Sequence, residues 1–236
     1  SSNQIERIYS AGCEIVRLSC KDFKEAENLT NIKDNLIAKG INIPLVADVH
    51  FSSRIAEVAA KHAKKVRINP GNYIDKRRSK TDFTDEDDRI HQQKILEKIK
   101  PLVDVCIHHG TSIRIGINHG SLSERILFKF GNTAQGMLAS ALEFVEIFRK
   151  FDFHNFIISM KASHVPTMIK ANKLLVAEMK NRGYSYPLHL GVTEAGDGDY
   201  ARVKAACGIG SLLAENIGDT IRVSLSSDPV DEVKAG

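Results

Sequence analysis

The chain has 236 residues, 42% hydrophobic and 26% charged, a size that holds one large domain or two small ones. Its 33 lysines and arginines against 29 aspartates and glutamates leave a formal net charge of +4, short of the clustered basic face of a nucleic-acid binder. No apolar run approaches the roughly 18 residues that span a bilayer, no secretory signal opens the chain, and no tryptophan is present to stack on bases. The expected partners are therefore neither nucleic acid nor membrane.

In chain order, the first residues read as helix (Ile5, Ile8), and a strand follows over Glu14–Ser19. Helical periodicity over Asp22–Lys39 ends at Gly40, a C-cap signal, before a second strand at Pro44–His50. Ser52–Ala63 reads as helix and Lys65–Asn69 as strand. Asn72–Gln93 is long, charged and weakly periodic, and leads to a helix over Ile95–Ile99; connections of that length are usually functional or mobile. Strand Ser112–Asn118 precedes a helix over Thr133–Lys150, which Thr133 or Asn132 can N-cap. Strand Asn155–Lys161 precedes helix Pro166–Arg182, with Pro166 in the first turn, Ser163 or Val165 just outside it and Gly183 past the end. Strand Pro187–Thr193, helix Asp199–Asn216 and strand Thr220–Leu225 complete the series.

Strands alternating with helices of this length imply βαβ units and a parallel sheet. No Gly/Ser- or Pro-rich linker divides the chain, so residues 1–236 are expected to form one domain. Seven strands, a helix at the start and no helix after the last strand fit a (β/α)8 TIM-type barrel lacking its first strand and last helix; a seven-stranded open doubly wound sheet is the alternative. Cys13, Cys20, Cys106 and Cys207 form no C-x-x-C pair, so a zinc or iron–sulfur site from this chain alone is not expected. Scattered single cysteines suit a reducing compartment, and cytoplasm is the default.

Four strands share one pattern: apolar, Arg, apolar, then small or polar. The instances are Val16-Arg17-Leu18-Ser19, Val66-Arg67-Ile68-Asn69, Ile113-Arg114-Ile115-Gly116 and Ile221-Arg222-Val223-Ser224. Alternate strand residues face opposite sides, so the arginines share the barrel interior while their apolar neighbours face the helices. Barrel interiors are normally filled by branched apolar side chains, and an unmet buried charge loses several kcal/mol of solvation. Lys161, ending its strand, is a fifth cation; the carboxylates expected to face the same way are Asp48 and Glu194. The excess of positive charge suits a diphosphate held by guanidinium forks. Arginines that merely reach water from strand ends are the bland alternative, weakened by recurrence on four strands.

Other residues keep two readings each. Asp48 and His50, two apart on one strand, are either a hydrogen-bonded pair lining the pocket or part of a metal site with Glu194 or His189. Lys161 is either a phosphate contact or a Schiff-base lysine, which would make the protein a lyase or aldolase. The Gly-rich turn Gly191–Gly198 can hold an anion but lacks the spacing of a nucleotide loop, and its Glu194 suits proton handling. His108 and His109 read as loop residues, and His62, His91 and His154 as surface or helix positions. A non-catalytic phosphate-ligand-binding barrel is a further alternative.

The runs PLVADVHFSSRIA, VRINPGN, IRIGINHGSLSERI and GVTEAGDGDYARVKAACGIGSLLAENIGDTIRVSL together resemble the GcpE family of 4-hydroxy-3-methylbut-2-enyl diphosphate synthases. The stretch beginning NYIDKR is similar to the longer plant, chlamydial and Bacteroidetes type. The resemblance covers nearly the whole chain, as the TIM-barrel portion, and implies reduction of 2-C-methyl-D-erythritol 2,4-cyclodiphosphate in the non-mevalonate isoprenoid pathway. It implies ferredoxin or flavodoxin as electron donor and a [4Fe–4S] cluster on a separate domain, with no ligand in this chain and none bound by it. That cluster domain and the insert domain of the long type have no counterpart here, so this stretch alone is expected to be inactive. A homodimer is compatible with the resemblance, as is a plastid stroma if the source is a plant or alga. Carried over by motif, it implies diphosphate binding by Arg17, Arg67, Arg114, Arg222 and Lys161, hydrogen bonds from Asn118 and Ser224, and a reacting end lined by Asp48, His50, Thr193 and Glu194.

Overall fold

The computed structural model describes residues 1–50, 52–73 and 83–236. Its element order is α1 (Ser2–Ser10), β1 (Val16–Ser19), α2 (Phe23–Glu27), α3 (Leu29–Ala38), β2 (Leu45–Asp48), α4 (Ser53–Ala60), β3 (Lys65–Ile68), α5 (Pro70–Tyr73), α6 (Asp85–His109) and β4 (Ser112–Asn118). A 3-10 turn (His119–Ser121), α7 (Glu124–Phe130), α8 (Ala134–Lys150), β5 (Phe156–Lys161), α9 (Val165–Asn181), β6 (His189–Leu190), α10 (Gly198–Leu213), β7 (Thr220–Ile221) and α11 (Pro229–Ala235) follow.

All strand pairs are parallel and sequential: β1 to β5 form one sheet, β6 and β7 pair with each other, and an Ile158–Leu188 bridge joins the two. An unbroken 1-to-7 order with a helical segment between successive strands is the winding of a TIM-type barrel and differs from a doubly wound sheet, whose order reverses at a switch point. The outward strand residues Val66, Ile68, Ile113, Ile115, Ile158 and Met160 have essentially no solvent exposure and pack under the helices. At about 1.5–3 kcal/mol for each fully buried aliphatic side chain, this layer supplies much of the driving force. Phe144 and Phe148 of α8 extend it edge-on to Tyr73 and Phe153.

Local chemistry sets the element ends. Thr133 Oγ1 accepts from the Gly136 amide 3.2 Å away and caps α8, while Gly40 and Gly183 turn the chain at φ of +73° after α3 and α9. The helix expected over Asp22–Lys39 is two helices meeting at Asn28. The residue capping α9 is His164, between the two positions expected.

Two expectations need correction. The helix expected only at Ile95–Ile99 is α6, of 25 residues, running through Pro101 to a Gly110 cap; residues 74–82 of the expected connection lie outside the described residues. A capping box explains the early start, with the Asp87 amide donating to Thr84 Oγ1 at 3.2 Å and the Thr84 amide donating to Asp87 Oδ2 at 2.9 Å. Acidic residues in the first turn of a helix also complement its dipole, so a charged run with little apolar periodicity folds as helix. This places His108 and His109 in the last turn of α6 instead of a loop. The second correction is that a helix does follow the last strand: α11 starts at Pro229, capped by Asp228, whose Oδ1 accepts from the Val230 amide at 2.9 Å.

Candidate functional site

Strand register decides which charges meet. Ser19 lies opposite Asp48, Asp48 opposite Arg67, Arg67 opposite Arg114 and Arg114 opposite Ile157. One rung of the sheet thus sets a carboxylate and two arginines side by side across β2, β3 and β4. On β4, Gly116 lies opposite Ser159 and Asn118 opposite Lys161. The inward positions of β3, β4 and β5 therefore carry polar and charged side chains where aliphatic ones are usual.

Asp48, 2% exposed, is the hub. Its Oδ2 lies 2.9 Å from Arg17 Nη1, and its Oδ1 lies 3.1 Å from Arg67 Nη1 and 3.3 Å from His50 Nε2. Burial works to raise its pKa, but the His50 hydrogen bond and the Arg67 and Arg17 charges prevail and hold it below the usual carboxylate range. Arg67 also donates from Nη2 to the Gly116 carbonyl at 2.9 Å. A side chain at 116 would put its Cβ 2.1 Å from Arg67 Nε, so the glycine makes room for the guanidinium. Gly191 does the same for Lys161, whose Nζ would lie 2.5 Å from a Cβ there.

Arg114 is buried at 5% exposure, and its Nε has no partner among the described residues. Burial and the Arg17 and Arg67 charges push its pKa down to about 9. Lys161 is buried too, and burial together with Arg114, Arg17 and Arg222 holds its pKa well below the ordinary lysine value. Arg222, at the start of the β7 exit, pairs with Glu232 of α11. Five cations (Arg17, Arg67, Arg114, Lys161, Arg222) against two carboxylates (Asp48, Glu232) formally leave three positive charges in this cluster, in which Arg67, Arg114 and Lys161 are buried, Arg222 is part-buried and Arg17 is exposed. Such an interior is stable only against an anion or at a cost in folding energy.

The remaining expected residues sit around this cluster. Asn118 Oδ1 accepts from the Gly120 amide at 3.1 Å, which leaves its amide nitrogen for the pocket. Ser224 and Thr193 are partly exposed beyond β7 and β6. Glu194 is exposed in the turn after β6, with no side-chain partner among the described residues, and its φ of 52° is a left-handed conformation unusual for a non-glycine residue. The second carboxylate paired inside the cluster is thus Glu232, not Glu194.

Sequence reasoning gave no role to Lys65, Asn69 and Glu232, and weighed His189 only as a metal ligand. Lys65 and Arg67 are two apart on β3, and burial and Arg114 lower the Lys65 pKa. His189 Nδ1 lies 2.9 Å from Thr220 Oγ1, its buried Nε2 has no partner among the described residues, and burial with Lys161 and Arg114 keeps the ring neutral. Asn69 donates from Nδ2 to Ser121 Oγ at 2.9 Å, bracing the 3-10 turn after Asn118. Lys65 and Asn69 had a signal, the period of two around Arg67; Glu232 had none, because α11 was not anticipated.

The described residues do not suit an iron–sulfur group. Cys13 and Cys20 lie in the loops flanking β1, Cys106 on α6 and Cys207 on α10, and Cys20, with its thiol pushed up to about 12 chiefly by burial, and Cys106 are enclosed in the core. No three His, Cys, Asp or Glu side chains among the described residues gather to hold a metal ion, and no helix among them is long and apolar enough to cross a membrane.

The sequence pattern of the GcpE TIM-barrel domain matches residues 1–236. The chain is 51% identical, over 98% of its length, to the 4-hydroxy-3-methylbut-2-en-1-yl diphosphate synthase (flavodoxin) of Bacteroides fragilis strain YCH46, covering 37% of that protein. It is 50% identical over 97% of its length to the ferredoxin-type synthase of Prochlorococcus marinus, covering 57%. It is 48% identical over 98% of its length to the chloroplastic ferredoxin-type synthase of rice, covering 31%. The chain thus spans between about a third and somewhat over half of these relatives. Among solved structures it is similar in fold to 3-keto-D-glucoside 4-epimerase from E. coli (TM-score 0.57, 14% identity, covering all of this chain and 93% of that one). It is likewise similar to a dihydropteroate synthase (TM-score 0.55, 14% identity, covering 99% and 83%). At that identity the likeness concerns fold alone.

Proposed function

The chain belongs to the GcpE family of 4-hydroxy-3-methylbut-2-en-1-yl diphosphate synthases, and from that premise we propose that it is the substrate-binding barrel of such a synthase. The substrate is 2-C-methyl-D-erythritol 2,4-cyclodiphosphate. Reductive opening of its ring takes up two electrons and two protons, breaks the C–O bond to the ring phosphate and a C–OH bond, forms a C=C bond, and yields one water with the hydroxylated butenyl diphosphate. The observation that carries this reading is the uncompensated positive interior, above all buried Arg114 with its unpartnered Nε. Guanidinium forks and the Lys161 ammonium match a diphosphate in charge and geometry.

In this reading Arg114 and Lys161 take the phosphate oxygens directly, since neither has a carboxylate of its own. Arg17 and Arg67 are held in place by Asp48 and present their remaining N–H groups. Asn118, Thr193 and Ser224 add hydrogen bonds, and His50 with Asp48 lines the reacting end. Glu194 holds or delivers a proton to the departing oxygen. Its exposed carboxylate in the turn that follows β6 supports that role, as does a backbone conformation of the kind that persists mostly at functional sites. Lys161 is then a phosphate contact and not a Schiff-base nucleophile.

A [4Fe–4S] cluster outside these residues would supply the reducing electrons, with ferredoxin or flavodoxin, the donors in the relatives' names, as its electron source. The cluster's ligands are assigned to the part of the relatives' length that this chain does not span. Residues 1–236 act as one barrel unit, and the free cysteines favour a reducing compartment such as the cytoplasm.

The test is titration of the full-length protein with the cyclic diphosphate, pyrophosphate and an uncharged polyol. Binding of the first two but not the third is expected, and equal affinity for the polyol would remove the diphosphate reading. Glu194→Gln is expected to lower turnover by about 100-fold or more, within the range of general acid catalysis, while affinity stays within a few-fold. Wild-type turnover in that variant removes Glu194 from the mechanism.

A further inference from the structure

Arg222 differs from the other strand arginines in having a carboxylate partner from outside the barrel strands. Glu232 of α11 meets it side-on: Arg222 Nε lies 3.3 Å from Oε2, and Nη2 lies 3.0 Å from Oε2 and 3.2 Å from Oε1. That geometry occupies one edge of the guanidinium plane and leaves Nη1 with no partner among the described residues. The carboxylate is itself pinned, because the Leu225 amide just past β7 donates to Oε1 at 3.0 Å. The helix that carries it is fixed at its start by the Asp228 cap and by Asp228 Oδ2 accepting from Arg7 Nη2 of α1 at 2.8 Å. The Glu232 side chain is 14% exposed and that of Arg222 34%, so the carboxylate is largely shielded from bulk water while the guanidinium keeps an open edge.

We infer that Glu232 is a positioning residue: it holds Arg222 by the Nε–Nη2 edge so that the Nη1 edge faces the anion bound inside the barrel. The inference rests on the diphosphate reading above. It assigns to α11 the task that Asp48 performs for Arg17 and Arg67, so that three of the four arginines are oriented by a carboxylate before substrate arrives. Orientation of this kind removes the entropy that a free arginine would lose on binding. The competing reading is that Glu232 is an internal anion occupying Arg222 in place of substrate. The two make opposite demands, since removing a positioning carboxylate weakens anion binding and removing a competing one tightens it.

The experiment measures pyrophosphate affinity of the full-length protein by calorimetry for the wild type, Glu232→Gln, Arg222→Lys and the double variant. Glu232→Gln is expected to weaken binding about tenfold and to raise KM for the cyclic diphosphate with little change in kcat. In the Arg222→Lys background, where no side-on pair can form, the same substitution should change affinity less than twofold. Tighter or unchanged binding in Glu232→Gln overturns the inference, as does an equal loss in both backgrounds. A role confined to stability would lower the melting temperature without this coupling, and that result also overturns it. If the wild type binds no pyrophosphate, the diphosphate reading falls, and the pair is judged from the Arg222 Nε–H signal by nitrogen-15 NMR. Slow solvent exchange of that proton in the wild type and fast exchange in Glu232→Gln supports the positioning contact, and fast exchange in both overturns it.

Discussion

Replacing Arg114 by methionine should stabilise the empty protein while crippling its response to ligand. Arg114 is 5% exposed, its Nε is unpartnered, and its neighbour on the rung is another arginine, Arg67. A buried polar group without a partner costs about 1–3 kcal/mol, and relief of like-charge repulsion acts in the same direction. Methionine keeps most of the aliphatic stem, so little packing is lost. The unfolding free energy should therefore rise by about 1–3 kcal/mol, which for a domain of this size moves the melting temperature up by roughly 2–12 °C. Ligand acts the other way. At a pyrophosphate concentration 100 times Kd the wild type gains about 2.7 kcal/mol. Loss of a charged hydrogen bond worth about 1.5–3 kcal/mol would cut that gain to about 0.3–1.3 kcal/mol. Calorimetric melting of both proteins with and without pyrophosphate reads both effects. A variant that melts lower than wild type when empty, yet keeps the full ligand shift, refutes the argument that Arg114 is an unmet charge awaiting an anion.

Gly116→Ala places a Cβ 2.1 Å from Arg67 Nε, so the guanidinium must leave its contact with Asp48. Pyrophosphate affinity should fall tenfold or more and stability by about 1–3 kcal/mol, whereas unchanged affinity by titration would mean that Arg67 has room to move. Asp48→Asn strands two guanidinium groups and should cost about 3 kcal/mol in urea unfolding at neutral pH. Because the folded-state pKa of Asp48 is depressed, the wild type binds fewer protons folded than unfolded in acid. Its contribution is therefore complete above the unfolded value of about 4 and is lost as pH falls through the folded one. The acid limb of the wild-type stability profile should flatten in Asp48→Asn, and identical acid limbs would remove Asp48 as its source.

The sequence by itself determined the alternation of strands and helices and the sign of the charge carried on one face of the strands. Seven β-branched runs spaced by helical segments make a parallel sheet, and the apolar-Arg-apolar pattern fixes which side of each strand the charges face because the side-chain period is two; the unbroken sequential order that separates a barrel from a doubly wound sheet came from the strand pairing. By that period, Arg17, Arg67, Arg114 and Arg222 were expected on one face; Arg67 and Arg114 are buried there, while Arg222 is part-buried and Arg17 exposed. What local periodicity could not supply was contacts across strands. That Asp48 serves two arginines and Arg114 none follows from register, which depends on how neighbouring strands slide. The long helix α6 escaped notice because its first turns are held by a capping box and a dipole rather than by a buried stripe. Glu232 escaped because its role depends on α11 folding back over β7, ten residues along the chain from Arg222. Glu194, prominent in its Gly-rich turn, was expected among the cations; the turn carries it out to solvent, and the carboxylate inside is Glu232. Strand pattern sets the sign of the charge inside a barrel, and only tertiary packing decides which charges are met and which are left for a ligand.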